Sequence, residues 1–207
     1  MAIATQAEKT KTFRALHERD RAFIIPNPWD VGTARLLQSF GFEALATTSA
    51  GFAFSIGLPD GAVDRAAMLD HAATIVRATD LPVSADLEDG YGATPSDVAE
   101  TIRKAVAVGL AGCSVEDVPN GRGLPPFDID VAADRVRAAA QVITALDFPF
   151  TLTARAENFI VGRPDLTDTI RRLQAYEAAG ADVLFAPGLT TRDDIVAVIR
   201  SVNKPVN

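Results

Sequence analysis

Gly109-Leu110-Ala111-Gly112-Cys113-Ser114-Val115-Glu116-Asp117 compresses a helix end, a short apolar run and a pair of acids into one passage. A glycine such as Gly109 suits the left-handed residue that closes a helix C-terminus. The run behind it has the length of a buried strand. The same passage recurs at Gly41-Phe42-Glu43-Ala44 and at Gly180-Ala181-Asp182-Val183, 68 residues earlier and 71 later. Between them, strand candidates open on a proline after a short loop, at Leu81-Pro82-Val83, Phe148-Pro149-Phe150 and Lys204-Pro205-Val206. Proline is tolerated at the first residue of a strand, where no ladder hydrogen bond is lost. Two kinds of βα unit therefore alternate about three times, the pattern of a barrel built from quarter-turns.

Outward from these markers, seven stretches read as strands: 23–25, 44–48, 82–86, 112–116, 150–155, 183–186 and 205–206. Amphipathic stretches at 31–40, 64–78, 95–108, 130–145, 166–179 and 192–202 are each long enough for a helix. Strict alternation implies parallel strands with crossover helices. The fold class expected is α/β, a (β/α)8 TIM-type barrel. The chain reads as one domain over residues 1–207, incomplete at its C-terminus, because such a barrel needs ~250 residues and the sequence stops inside the seventh expected strand.

Composition narrows the function. A 207-residue chain with 48% hydrophobic and 23% charged residues is ordinary globular material. A net charge of −7, with no run of Lys or Arg, argues against nucleic-acid and anionic-membrane partners. The start of the chain lacks the apolar core of a signal peptide, and no stretch is long and apolar enough to span a bilayer, so a cytoplasmic location is expected. Cys113, the sole cysteine, excludes an internal disulfide and lies in an apolar run where a thiol is packing.

In a barrel, catalytic groups come from the C-terminal ends of strands and the loops behind them. Here those ends are acidic: Asn27-Pro28-Trp29-Asp30, Asp86-Leu87-Glu88-Asp89, Glu116-Asp117 and Arg155-Ala156-Glu157. Strand alternation lets Asp86 share a face with Glu88, and Arg155 with Glu157. Carboxylates crowded at one mouth raise one another's pKa, and a hard divalent cation with oxygen ligands relieves them. Mg²⁺ is the natural candidate, with Mn²⁺ as the alternative. Zinc fits poorly, since His17 and His71 sit on helical segments away from strand ends. Asp89-Gly90 reads as a turn, whereas Asp86 and Glu116 directly follow apolar strand residues and read as functional. Arg155 is the one positive charge inside a strand; it either pairs with a core acid such as Glu157 or holds a substrate carboxylate. Thr47-Thr48-Ser49-Ala50-Gly51 is a small polar run suited to cradling an anionic oxygen. Lys9, Lys11, Lys104 and Lys204 all lie away from strand interiors and strand C-terminal ends, which excludes a Schiff-base aldolase. A phosphate-binding glycine loop is absent too. The chemistry left is metal-stabilised enolate formation from a 2-oxo acid.

With those residues in view, the chain resembles the isocitrate lyase and phosphoenolpyruvate mutase superfamily over its whole length. The family's metal segment matches Asp86-Leu87-Glu88-Asp89-Gly90-Tyr91-Gly92, its acid pair Glu116-Asp117, its Ala-Arg-x-Glu run Ala154-Arg155-Ala156-Glu157, and the loop of its small bacterial members Asn27-Pro28-Trp29-Asp30. The resemblance implies Mg²⁺ bound through Asp86, with Glu88 and Glu116 acting directly or through water. It implies that Arg155 and the backbone of Thr48, Ser49 and Ala50 hold the substrate carboxylate, that residues 52–64 form a gating loop, and that Asp60 closes over the site. It also implies a homotetramer. The loop Val118-Pro119-Asn120-Gly121-Arg122-Gly123-Leu124 has no Cys or His where the isocitrate and methylisocitrate lyases carry Lys-Lys-Cys-Gly-His. Only Asn120 corresponds to the substrate-binding residues of the phosphoryl branch. Ala186-Pro187-Gly188 likewise lacks the histidine of the mutase and the glutamate of the methylisocitrate lyase. The expected function is a Mg²⁺-dependent lyase or hydrolase that cleaves a C–C bond of a small, oxaloacetate-like 2-oxo acid through an enolpyruvate intermediate. The alternatives are mutase-type P–C chemistry and a non-catalytic metal- or metabolite-binding relative.

Overall fold

The computed structural model describes residues 4–119 and 124–207. Five short parallel strands form one sheet: β1 (Leu45–Ala46), β2 (Val83–Asp86), β3 (Gly112–Glu116), β4 (Thr151–Arg155) and β5 (Val183–Phe185). Their order in space is their order in sequence, β1-β2-β3-β4-β5, and every neighbouring pair is parallel. A doubly wound sheet reverses strand order at a switch point; this one never does. Right-handed crossovers then place all connecting helices on one face. The result is one wall of barrel type, with helices outside and a concave inner face.

Eight helices are present among the described residues: α1 (Gln6–Glu18), α2 (Val31–Ser39), α3 (Ser49–Ser55), α4 (Arg65–Ala78), α5 (Pro95–Ala107), α6 (Ile129–Thr144), α7 (Leu166–Ala179) and α8 (Arg192–Ser201). The caps explain the boundaries. Asp30, Thr48, Asp64, Thr94, Asp165 and Thr191 each accept a backbone N–H at a helix start, satisfying donors that have no intrahelical partner. Gly41, Gly109 and Gly180 have φ of 85°, 92° and 106°, the left-handed values their place after a helix demands.

Strand alternation sorts side chains between the two faces. Val83, Ala85, Cys113, Val115, Leu152, Ala154 and Leu184 are buried in the main core with Ile75, Val98, Ile102, Val136, Leu173 and Tyr176 of the helices. Ser84 and Asp86, Ser114 and Glu116, Thr153 and Arg155 turn the other way, into the concave face. α1 lies across the N-terminal ends of the strands. Its Phe13 and Leu16 pack with Ala44 and Ala111, just before β1 and β3. Its Arg14 pairs with Asp182 at 2.7 Å, and the other Asp182 oxygen accepts from Leu152 N at 2.9 Å.

Two expected strands differ from expectation. Residues 23–25 form no strand, although Ala46 N donates to Pro26 O at 3.1 Å and Asn27 Nδ2 to Ala46 O at 3.0 Å. Pro26 and Pro28 remove two backbone donors from this segment, so a ladder cannot propagate. Residues 205–206 are reduced to one parallel bridge, Val206 with Leu184, framed by Leu184 N to Pro205 O and Asn207 N to Leu184 O. The expected gating segment also differs: its first residues belong to α3, and Asp64 caps α4.

Gly112 is where the barrel floor is tightest. A methyl there would come within 2.7 Å of Thr151 O and 2.9 Å of Phe13 Cε1. Gly112→Ala should therefore cost about 1–3 kcal/mol of unfolding free energy through overpacking. Gly41→Ala, at a left-handed residue with open space around it, should cost about 1 kcal/mol. Urea unfolding of both variants reads the difference; a larger loss from Gly41→Ala would contradict the tight α1–sheet contact.

Candidate active site

The C-terminal ends of β1 to β5 open into a cleft of about 1090 Å³. Thr48, Ser49, Ala50, Asp60, Asp86, Glu88, Glu116 and Arg155 all line it. The sequence named each of these residues separately, and the fold brings them together. Asn120 lies outside the described residues.

Arg155, on the last residue of β4, is the hub. Its Nη1 lies 3.0 Å from Glu116 Oε1 and 3.3 Å from Asp86 Oδ1, and its Nε donates to Glu157 Oε1 at 2.9 Å. Strand register produces this: Glu116 and Arg155 are direct parallel partners, and Asp86 sits one strand further on at the level of Ser114. The ring of Phe185, Arg155's partner on β5, lies 5.1 Å from the guanidinium carbon. Of the two readings of Arg155, pairing with core acids is what the structure shows. Burial works against its charge, but Asp86, Glu116 and Glu157 together outweigh burial and hold the guanidinium above its ordinary pKa. Burial pushes the carboxyls of Glu116 and Glu157 up, with Arg155 opposing and neighbouring carboxylates reinforcing the shift.

Asp86 is held from both sides. One oxygen accepts from Ser49 Oγ at 2.9 Å and Ser49 N at 3.2 Å; the other faces Arg155 and accepts from Glu88 N at 3.3 Å. Thr47 Oγ1 accepts from Asp86 N at 3.2 Å. Ser49 Oγ also reaches Asp60 Oδ1 at 3.3 Å, which links the exposed Asp60 at the mouth to the half-buried Asp86. Thr48 spends its hydroxyl on capping α3 through Gly51 N.

Glu88 arrives by a different route from the strand alternation expected for it. β2 ends at Asp86, Leu87 is fully buried, and Glu88 has φ +48°. A turn closed by Gly90 N to Leu87 O at 2.8 Å carries it into the cleft, and its carbonyl accepts from Glu116 N at 2.8 Å. Asp89 and Gly90 belong to that turn, and Tyr91 N donates to Asp89 Oδ1. Asp30 is exposed and caps α2.

Asp117, next to Glu116, faces the helices. It accepts from Tyr176 Oη at 2.5 Å, Arg172 Nη1 at 3.1 Å and Glu157 N at 2.9 Å. It is 3% exposed and secures α7 to the end of β3. Sequence reasoning missed this role, and also missed Arg135, a fully buried arginine of α6 that donates to the carbonyls of Asp89 and Gly92.

As to a cation, no three acidic, His or Cys side chains among the described residues converge into a ready-made cage. The donors present are carboxylate and hydroxyl oxygens, the hard set that Mg²⁺ takes, and Mg²⁺ commonly uses one or two carboxylates and keeps several waters. Asp86, Glu116 and Glu157 surround one guanidinium and Glu88 lines the same cleft, so the residues fit such an ion in chemistry and charge.

A parallel barrel-type wall with an acid-rich, arginine-centred cleft at its strand ends has the layout in which barrel enzymes carry their active sites. The comparisons with known proteins make this specific. The phosphoenolpyruvate phosphomutase family model matches residues 13–207. The chain is 32% identical over 198 residues to an uncharacterized protein of Mycobacterium tuberculosis, covering 95% of this chain and 72% of that one. A crystal structure from Burkholderia cenocepacia, described as that of a lyase/mutase, superposes with a TM-score of 0.94 at 59% identity, covering 97% of this chain and 72% of that one. That of 2,3-dimethylmalate lyase superposes with a TM-score of 0.88 at 31% identity, covering 99% and 72%. The chain belongs to the phosphoenolpyruvate mutase/isocitrate lyase superfamily and is a carbon–carbon lyase or a related enzyme.

Glu116 and Asp117 make a direct test of this division. Asp117→Ala should lower the unfolding free energy by about 2–3 kcal/mol, because it leaves Tyr176 Oη buried without its acceptor and Arg172 with only Asp168 and the Phe127 carbonyl. Glu116→Gln relieves a carboxyl that burial disfavours, and should change it by less than about 1 kcal/mol. Urea unfolding that ranks the two the other way would overturn the assignment of sides.

Proposed function

We propose that this protein is a Mg²⁺-dependent lyase or hydrolase that cleaves a C–C bond of a small 2-oxo acid, oxaloacetate-like in kind, through an enolpyruvate intermediate. The carrying observation is the meeting of Asp86, Glu116, Arg155, Ser49 and Asp60 in one cleft, with an excess of carboxylate over guanidinium. Asp86 would hold the cation, Mg²⁺ or in its place Mn²⁺, with Glu88 and Glu116 directly or through water. When bound, a divalent cation supplies Lewis-acid stabilisation of enolate charge. Arg155, already oriented by Glu157, holds the substrate carboxylate together with the backbone at Thr48, Ser49 and Ala50. Asp60, between Gly57 and Gly61 with φ of +75° and +78°, closes the mouth over the substrate and shields the enolate from stray protons. In this reading the five-stranded wall is part of a (β/α)8 barrel, and the chain assembles as a homotetramer.

A panel of 2-oxo and 2-hydroxy acids, assayed for pyruvate release with Mg²⁺, tests the reading. At least one should turn over, chelation by EDTA should stop it, and Asp86→Ala should lower kcat/KM by at least about 100-fold. Turnover that survives both EDTA and Asp86→Ala would remove the proposal. A phosphonate formed from phosphoenolpyruvate, seen by phosphorus NMR, would move the reaction to P–C chemistry.

A further inference from the structure

The turn that carries Glu88 is unusual in its backbone. Glu88, Gly90 and Tyr91 all have positive φ, at 48°, 81° and 58°, and two of the three are not glycine. A positive φ at a non-glycine residue is strained and persists only where the surroundings over-determine it. The surroundings here are two buried helical side chains. Thr101 of α5 donates its hydroxyl to Gly90 O at 2.7 Å. Arg135 of α6 donates from Nη1 to Gly92 O at 2.8 Å and from Nη2 to Asp89 O. The Arg135 guanidinium carbon also sits 4.5 Å from the centre of the Phe127 ring, and Phe127 N donates to Asp117 O at 2.8 Å. One planar fork thus captures the two outer carbonyls of the turn and stacks on the segment that follows β3.

What that turn holds is the acid cluster itself. Glu88 N donates to Asp86 Oδ1, and Glu88 O accepts from Glu116 N. Any relaxation of the peptide between Glu88 and Gly92 therefore moves the supports of Asp86 and Glu116 together. Arg135 is 1% exposed and faces away from the cleft, so it touches neither substrate nor ion.

We propose that Arg135 is a positioning residue for cation binding, acting through the Asp89 and Gly92 carbonyls to fix Asp86, Glu88 and Glu116. This rests on the reading of the cleft as a divalent-cation site. A compact ammonium lacks the planar fork that grips both carbonyls, so charge alone is not what the position requires.

The test is Mn²⁺ binding by calorimetry to the full chain and to Arg135→Ala, with guanidinium or methylammonium added well below denaturing concentration. Arg135→Ala should weaken Mn²⁺ binding by about 10-fold or more, the usual effect of losing a partner that orients metal ligands. Guanidinium should restore most of the loss, and methylammonium should not. Binding within about twofold of the unmodified chain, or a loss that guanidinium repairs no better than methylammonium, would overturn the proposal. If Arg135→Ala does not fold, Arg135→Lys decides: weakened Mn²⁺ binding in a cooperatively melting protein supports it, and unchanged binding overturns it. If the unmodified chain binds no Mn²⁺, the cation reading fails by itself. Amide hydrogen exchange at residues 88–92 then judges Arg135 alone, and exchange unchanged by its substitution would sink the positioning role.

Discussion

The Arg155 guanidinium, clasped by Asp86, Glu116 and Glu157, is the interaction on which the functional end of this molecule depends. Its partners come from β2, β3 and the residues just after β4. Buried charges of this kind are tolerable only when paired and hydrogen-bonded, and the pairing here demands one sheet register. A slip of one residue in β4 would turn Arg155 into the helix-covered face and push Leu152 and Ala154 out into the cleft. Apolar burial on the convex face and ion pairing on the concave face therefore specify the same register.

Stability and chemistry occupy different places in the wall. α1 closes the strands' N-terminal ends with Phe13, Leu16 and the Arg14–Asp182 pair, while Asp117, Arg172 and Tyr176 bind α7 to the flank. The strand C-terminal ends are left with polar and charged groups. Glu116 and Asp117 show how little sequence separates the two roles. Both are acids at the end of β3, but one turns into the cleft and the other into the helix layer, where Tyr176 and Arg172 meet it.

Much of this was legible in the sequence. The six helices expected between strands form within two residues of their expected ends, because side-chain caps and left-handed glycines mark them locally. The cleft-lining residues Asp86, Glu116 and Arg155 were visible as charges following apolar strand residues. Other features depended on tertiary context. The segment at 23–25 has the composition of a strand, but its flanking prolines limit pairing with β1. Strand alternation predicts the right side of the sheet for Glu88, whereas a positive-φ turn is what puts it there. Arg135 left a trace that periodicity alone could have caught: it lies on the α6 stripe with Ala132, Val136 and Ala139, where an arginine is out of place unless it has carbonyls to grip.

The central claim is that the carboxylates of this cleft, organised around Arg155, are built to take a divalent cation. Calorimetric titration of Mn²⁺ into the unmodified chain and into Asp86→Asn tests it most directly. One ion per chain in the first protein and its loss in the second is the predicted result. Equal binding by both, or none by the unmodified chain at millimolar Mn²⁺, would contradict it.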